Sequence, residues 1–289
     1  MIDPVFIVGC SRTGSKIYMK ILNEYSPINI TPELHFLAPS WIRKDFVSKV
    51  KVNIGDLEKD SNIPKLIDLM YSGQLDGSFW SSIENRNLDK KKLQNQIIKS
   101  DRSFKSIFGI LLEGHAKSKD KTNPGAKFPV HFSYIRKLLE WYPNCKIVHL
   151  IRDPRAMYAS NALGHSKKSR SNLVSNLIRL KILLFTIIQF IWAVRIHKKY
   201  LHLENYCLFK FEDIISQPEE FIPKLCQFLE IEFKSEMLHP PVMGSSYHKM
   251  EKRGFDKQTL CRWRKHVSPV TTSLIKLITG KQMKEIGYL

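Results

Sequence analysis

The chain has 289 residues, 43% of them hydrophobic and 25% charged, enough to bury one sizeable core, and nothing in the composition separates two halves, so we read a single domain over 1–289. Its 46 basic and 27 acidic residues leave a formal net charge of +19, which favours anionic partners without choosing among nucleic acid, an acidic membrane surface, a nucleotide and a polyanionic sugar. The five cysteines (Cys10, Cys145, Cys207, Cys226, Cys261) are widely spaced and odd in number, which speaks against a disulfide framework and for reduced thiols in a cytoplasmic setting.

The first residues, Met1 to Pro4, run straight into an apolar segment without a basic leader, so no cleavable signal is expected. Residues 5–16 read VFIVGCSRTGSK: a short strand over 5–8, then Gly9, then a turn closing on Gly14, Ser15 and Lys16, then a helix over 15–25. Backbone N–H groups of such a loop and of the first helical turn converge on one spot, and the helix dipole and Arg12 add positive potential there. A phosphate or sulfate belongs in that spot. The Walker A order places lysine before the hydroxyl residue that reaches magnesium, and here Ser15 precedes Lys16, which argues against a magnesium-dependent nucleotide kinase.

Further along, TPELHFLAP at 31–39 carries Glu33 and His35, which share a face if the segment is extended. The region 40–126 has little strand signal and is expected to be a helical insertion that shapes an acceptor site, with helices over 64–71, 89–99 and 103–117. Lys127 follows Asn123-Pro124-Gly125, read as a flexible turn, and a helix is expected over 132–141. A second buried strand, 146–151, ends in Arg152-Asp153-Pro154-Arg155. Two arginines around one aspartate make this a better receptor for an anion than for a cation.

Helices are expected over 154–163, 172–202 and 218–229, and a third strand over 206–211. The longest apolar run, 182–194, is about a dozen residues, short of the roughly 20 that span a bilayer, and reads as a buried core helix. The tail over 244–265 mixes basic and aromatic residues and is expected to fold over bound ligand. Buried strands alternating with helices argue for an α/β fold, a parallel sheet covered on both faces, with ligands beyond the carboxyl ends of the strands. Both anion loops fall there. The sequence shows no metal-ligand cluster.

Four segments in order resemble the sulfotransferases that use 3′-phosphoadenosine 5′-phosphosulfate (PAPS), closest to the branch containing tyrosylprotein and many bacterial carbohydrate enzymes. They are FIVGCSRTGSK, TPELHFLAP, KIVHLIRDPRAMYAS, and FKFEDIISQPEEFIPKLCQFLEI with a late Arg-Trp and a terminal Gly287-Tyr288. The resemblance implies a three-layer sandwich of the P-loop-NTPase-like type. It also implies that Arg12, Thr13, Gly14 and Ser15 hold the 5′-phosphosulfate, with Lys16 departing from the usual Ser or Thr. Arg152 and Ser160 would bind the 3′-phosphate, and Arg155 would be structural.

By the same resemblance Glu33 is the general base, with His35 as the competing candidate, and Lys127 stabilises charge at the transferring sulfuryl group. Phe211 replaces an aromatic hydroxyl residue near the nucleotide, and Ser246, Lys252 and Arg253 are candidates for closing over it. The acceptor would be a hydroxyl compound, with carbohydrate first, and no metal is needed. Weak association with a membrane surface is compatible with the charge. The competing class, a basic nucleic-acid-binding protein, leaves both anion loops unexplained.

Overall fold

The computed structural model describes residues 3–37, 45–81, 83, 88–166, 172–240 and 253–289. Five strands, β1 (Val5–Gly9), β2 (Ile28–Thr31), β3 (Asn123–Lys127), β4 (Lys146–Ile151) and β5 (Tyr206–Lys210), form one sheet in the order β2-β3-β1-β4-β5. The pairs β1–β3 and β2–β3 are parallel, with Val5 opposite Gly125 and Ile30 opposite the same glycine. This is the α/β class, a central parallel sheet flanked by helices.

Two strands were not legible. β2 is only four residues, and β3 contains Asn123-Pro124-Gly125, residues that disfavour strands by themselves. The segment is therefore no flexible turn: β3 takes its conformation from its neighbours on both sides. A Cβ at Gly125 would collide with the Val5 carbonyl and the Ile30 side chain, so glycine is what allows the close approach.

The chain forms two compact units, one of residues 1–8 and 22–147, the other of 9–21 and 148–289. In the first, the expected helical stretch holds α2 (Phe46–Asn53), α3 (Asn62–Tyr71), α4 (Lys90–Ile98) and α5 (Phe104–Lys117), followed by a 3-10 segment and α6 (Ile135–Trp141). Asp45, Asp89 and Ser103 cap α2, α4 and α5 by accepting from backbone N–H groups three residues on. Phe36 stacks between Phe46 and Phe108, with ring centroids 4.8 and 4.5 Å away, and Trp80 stacks on Phe46. This aromatic core holds the loop that carries Glu33 and His35.

The second unit contains α7 (Pro154–Ser166), α8 (Asn172–Tyr200), α9 (Phe211–Ser216), α10 (Pro218–Leu229) and α11 (Pro269–Glu285). Helix α1 (Ser15–Tyr25) starts in this unit. Phe211 begins α9 rather than ending the strand. The run read as a buried core helix is part of the 29-residue α8, whose inner face packs on Tyr158, Val267 and Ile275 while its outer face is exposed. Over Val174–Tyr200 this helix is long and apolar enough to cross a membrane, by length and composition only.

Candidate active site

In the second unit, the loop after β1 turns on unusual backbone geometry. Gly9 has φ +148° and a Cβ there would run into the Leu150 carbonyl oxygen. Gly14 has φ +81°, with the Phe211 ring where a Cβ would sit. Between them Arg12 adopts φ +70°, a left-handed conformation that costs a non-glycine residue about 1 kcal/mol or more. The loop is pinned from inside: the Thr13 hydroxyl donates to the Cys10 carbonyl at 2.9 Å, and the Ile17 amide to the Gly14 carbonyl at 2.8 Å. With its proton directed at Cys10, Thr13 offers an incoming anion its amide. The Cys10 thiol is buried and donates to the Gln189 carbonyl at 3.3 Å; burial pushes it far up, so it is no nucleophile. Ser15 opens α1, and Lys16 is exposed on its first turn.

Arg152 joins this loop to the end of β4. Its guanidinium donates to the Arg12 carbonyl at 3.1 Å, reaches the Thr259 carbonyl at 3.5 Å and lies 3.9 Å from the centre of the Phe211 ring. Arg12 in turn approaches the Ser160 carbonyl at 3.4 Å. The structure thus brings Arg12, Arg152 and Ser160 together in one place.

Arg155 is held elsewhere. Its Nε donates to both oxygens of Asp153, at 2.9 and 3.0 Å, and its guanidinium lies over Trp263. Asp153 also accepts from the Arg155 amide at 2.8 Å, capping α7, so this carboxylate is spent on the helix start and on a cation. Phe211 is buried under Arg152 and against Gly14, a plate that supports the arginine. Arg253 is exposed; Ser246 and Lys252 lie outside the described residues.

Sequence reasoning missed Glu212, which accepts from the Asp153 amide at 3.1 Å and from the Tyr288 hydroxyl at 2.7 Å. Burial raises its carboxyl pKa. It follows β5 within a segment that reads simply as a helix start, and only its pairing with the chain's last tyrosine marks it.

In the first unit, Glu33 follows β2 and meets Lys127 from the end of β3. Their Oε1 and Nζ atoms are 3.3 Å apart, and Lys127 is 2% exposed. His35 Nε2 stands 3.9 Å from Oε2, beyond hydrogen-bond range but close enough to act by charge and dipole. His35 and then Lys127 hold the Glu33 carboxyl down at about 2, against the opposing effect of burial. The expectation that Glu33 and His35 share a face agrees with this arrangement.

The His35 ring is buried against Phe128, centroids 3.9 Å apart, and among the described residues neither ring nitrogen has a hydrogen-bond partner. Next to it, His131 is fully buried, edge-on to Phe128, and burial lowers its pKa to about 3. Gly77 closes this cluster: at φ +115°, a Cβ would strike the Glu33 carbonyl oxygen and the His35 ring.

A family model described as "Sulfotransferase family" matches residues 4–235. A relative from Aquifex aeolicus (strain VF5), described only as an uncharacterized protein, is 25% identical in an alignment 280 residues long that covers 92% of this chain and 31% of the relative. The chain spans about a third of that relative's length. Among solved structures, the sulfotransferase domain of the Synechococcus PCC 7002 olefin synthase superposes with a TM-score of 0.61 at 17% identity, covering 100% of this chain and 97% of that one. The sulfotransferase domain from the curacin biosynthetic pathway gives 0.59 at 16%, covering 100% and 99%. At such identities the likeness is one of fold.

Proposed function

Because the chain belongs to the sulfotransferase family, we propose that it transfers the sulfuryl group of PAPS to a hydroxyl acceptor, with carbohydrate as the first class to test. The observation that carries this reading is the Arg152 hydrogen bond to the Arg12 carbonyl, which ties the Arg152 guanidinium to the left-handed turn before α1, where the Arg12 side chain reaches back to the Ser160 carbonyl. In this reading Arg12 and the amides of Thr13, Gly14 and Ser15 take the 5′-phosphosulfate. Arg152 and Ser160 take the 3′-phosphate, which distinguishes PAPS from ATP. A magnesium-dependent kinase would need an acid free at the end of β4, and Asp153 there is engaged by Arg155.

The acceptor oxygen attacks sulfur in line; the new S–O bond forms as the bond to the phosphate oxygen breaks, and that electron pair leaves on 3′,5′-ADP. The acceptor's proton goes to the Glu33 carboxylate. Glu33 paired with Lys127 is a weak base. As Lys127 turns to the charge developing on the sulfuryl and leaving oxygens, Glu33 loses its partner and its basicity rises as it is needed. We place the activity in the cytoplasm, in keeping with five free thiols.

The test is calorimetric titration with 3′,5′-ADP, with ADP and ATP as controls, with and without magnesium. Metal-independent binding selective for 3′,5′-ADP is expected, and preference for magnesium-ATP would overturn the reading.

A further inference from the structure

Helix α8 carries an outward stripe of large apolar side chains at helical spacing: Val174, Leu177, Leu184, Ile188 and Trp192, with Ile188 60% exposed. Interrupting and ending the same stripe are the cations Lys181, Arg195 and Lys199, all exposed. The helix contains no acidic residue. Helix α11 repeats the arrangement, with Val270, Leu274 and Leu277 outward (Leu277 82% exposed), followed on that face by Lys281 and Lys284. Its one acid, Glu285, is paired with Lys198 of α8 at 2.7 Å.

The two helices lie side by side. Leu183 and Ile187 of α8 and Ile275 of α11 enter the same core cluster, and Arg179, Leu180, Ser268 and Thr271 line one cavity of about 340 Å³. Their inner faces share a core, so their outer faces form one surface with an apolar centre and cationic flanks. Nothing in the sulfuryl-transfer machinery uses it.

We propose that this α8–α11 face docks the protein on an anionic phospholipid surface, with the apolar stripes seated at the headgroup boundary and the cations against lipid phosphates. Charge decides among occupants. A second copy would bring another formal +19 against the same cationic flanks, whereas an anionic leaflet complements them. Aliphatic side chains and a tryptophan bordered by Lys and Arg are the pattern of helices that lie in the membrane interface. Because the inner face of α8 is packed in the core, the helix lies on the bilayer and does not cross it.

The purified full chain is sedimented with vesicles of phosphatidylcholine alone and of phosphatidylcholine mixed equally with phosphatidylglycerol. Binding to the mixed vesicles that falls with added salt is expected. The combined Leu184→Gln, Ile188→Gln, Trp192→Gln variant should bind at least about tenfold less, and Arg195→Gln and Lys199→Gln each about fivefold less. Single Ile188→Gln repeats the apolar test with the least burden on folding, checked by thermal melting. The tryptophan fluorescence blue shift on vesicle binding should shrink in Trp192→Phe. Absence of binding to the mixed vesicles, or binding that the apolar variants leave intact, overturns the proposal. So does a wild-type dimer by light scattering that the apolar variants convert to monomer, which would assign the face to self-association.

Discussion

Arg152 lies over Phe211, 3.9 Å from guanidinium carbon to ring centre, while the same ring closes on Gly14 of the anion loop. One aromatic side chain therefore sets the position of both the arginine and the loop. Phe211→Leu keeps apolar volume and removes the plate, a loss of about 1 kcal/mol of cation–π contact. Binding of 3′,5′-ADP, measured by calorimetry, should weaken about three- to tenfold.

Arg152→Ala removes the group assigned to the 3′-phosphate, with an expected loss of about tenfold or more in 3′,5′-ADP binding. Adenosine 5′-phosphosulfate, which has no 3′-phosphate, should lose much less. Equal losses for the two ligands would remove Arg152 from that role.

Glu33→Gln should lower kcat by about 10²- to 10⁴-fold while leaving 3′,5′-ADP binding near wild type. The same residue has a signature in stability. Its carboxyl titrates at about 2 in the folded protein against an ordinary 4.5, so its contribution is fully present above 4.5 and is lost as pH falls from there through 2. Urea midpoints measured across that window should fall less steeply in Glu33→Gln than in wild type.

His131 works in a higher window. Burial holds its pKa near 3 against an ordinary 6.5, so the unfolded chain takes up a proton there that the folded one refuses. Its contribution is whole above 6.5 and declines as pH falls towards 3. His131→Phe should flatten the decline in urea midpoint between those values.

Gly77→Ala places a Cβ against the Glu33 carbonyl and the His35 ring at a φ that alanine resists. A loss of about 2 kcal/mol in unfolding free energy is expected, together with reduced activity, because the displaced loop carries Glu33. Denaturant unfolding and steady-state rates read the two effects.

Much of this arrangement was legible in the chain, and what was not has a physical reason. β1 and β4 are largely buried, mostly apolar runs and β5 a mostly apolar, partly buried one, and all three could be read directly; β3 could not, because an Asn-Pro-Gly strand is imposed by its neighbours. Lys127 thus lies buried at the end of a strand rather than after a flexible turn. The nearness of Arg12 and Arg152 follows from two strand ends in one sheet, which spacing and resemblance together suggest. The Asp153–Arg155 and Glu212–Tyr288 pairs depend on side-chain directions that no periodicity encodes.

The left-handed backbone at Arg12 has a consequence for how this chain could evolve. Glycine at that position would relieve the turn, as it does at 9 and 14, so selection for folding alone would favour replacing the arginine. A screen for heat-resistant variants, run without regard to activity, should therefore recover Arg12→Gly, and a descendant that had abandoned its anion would be free to make the same exchange.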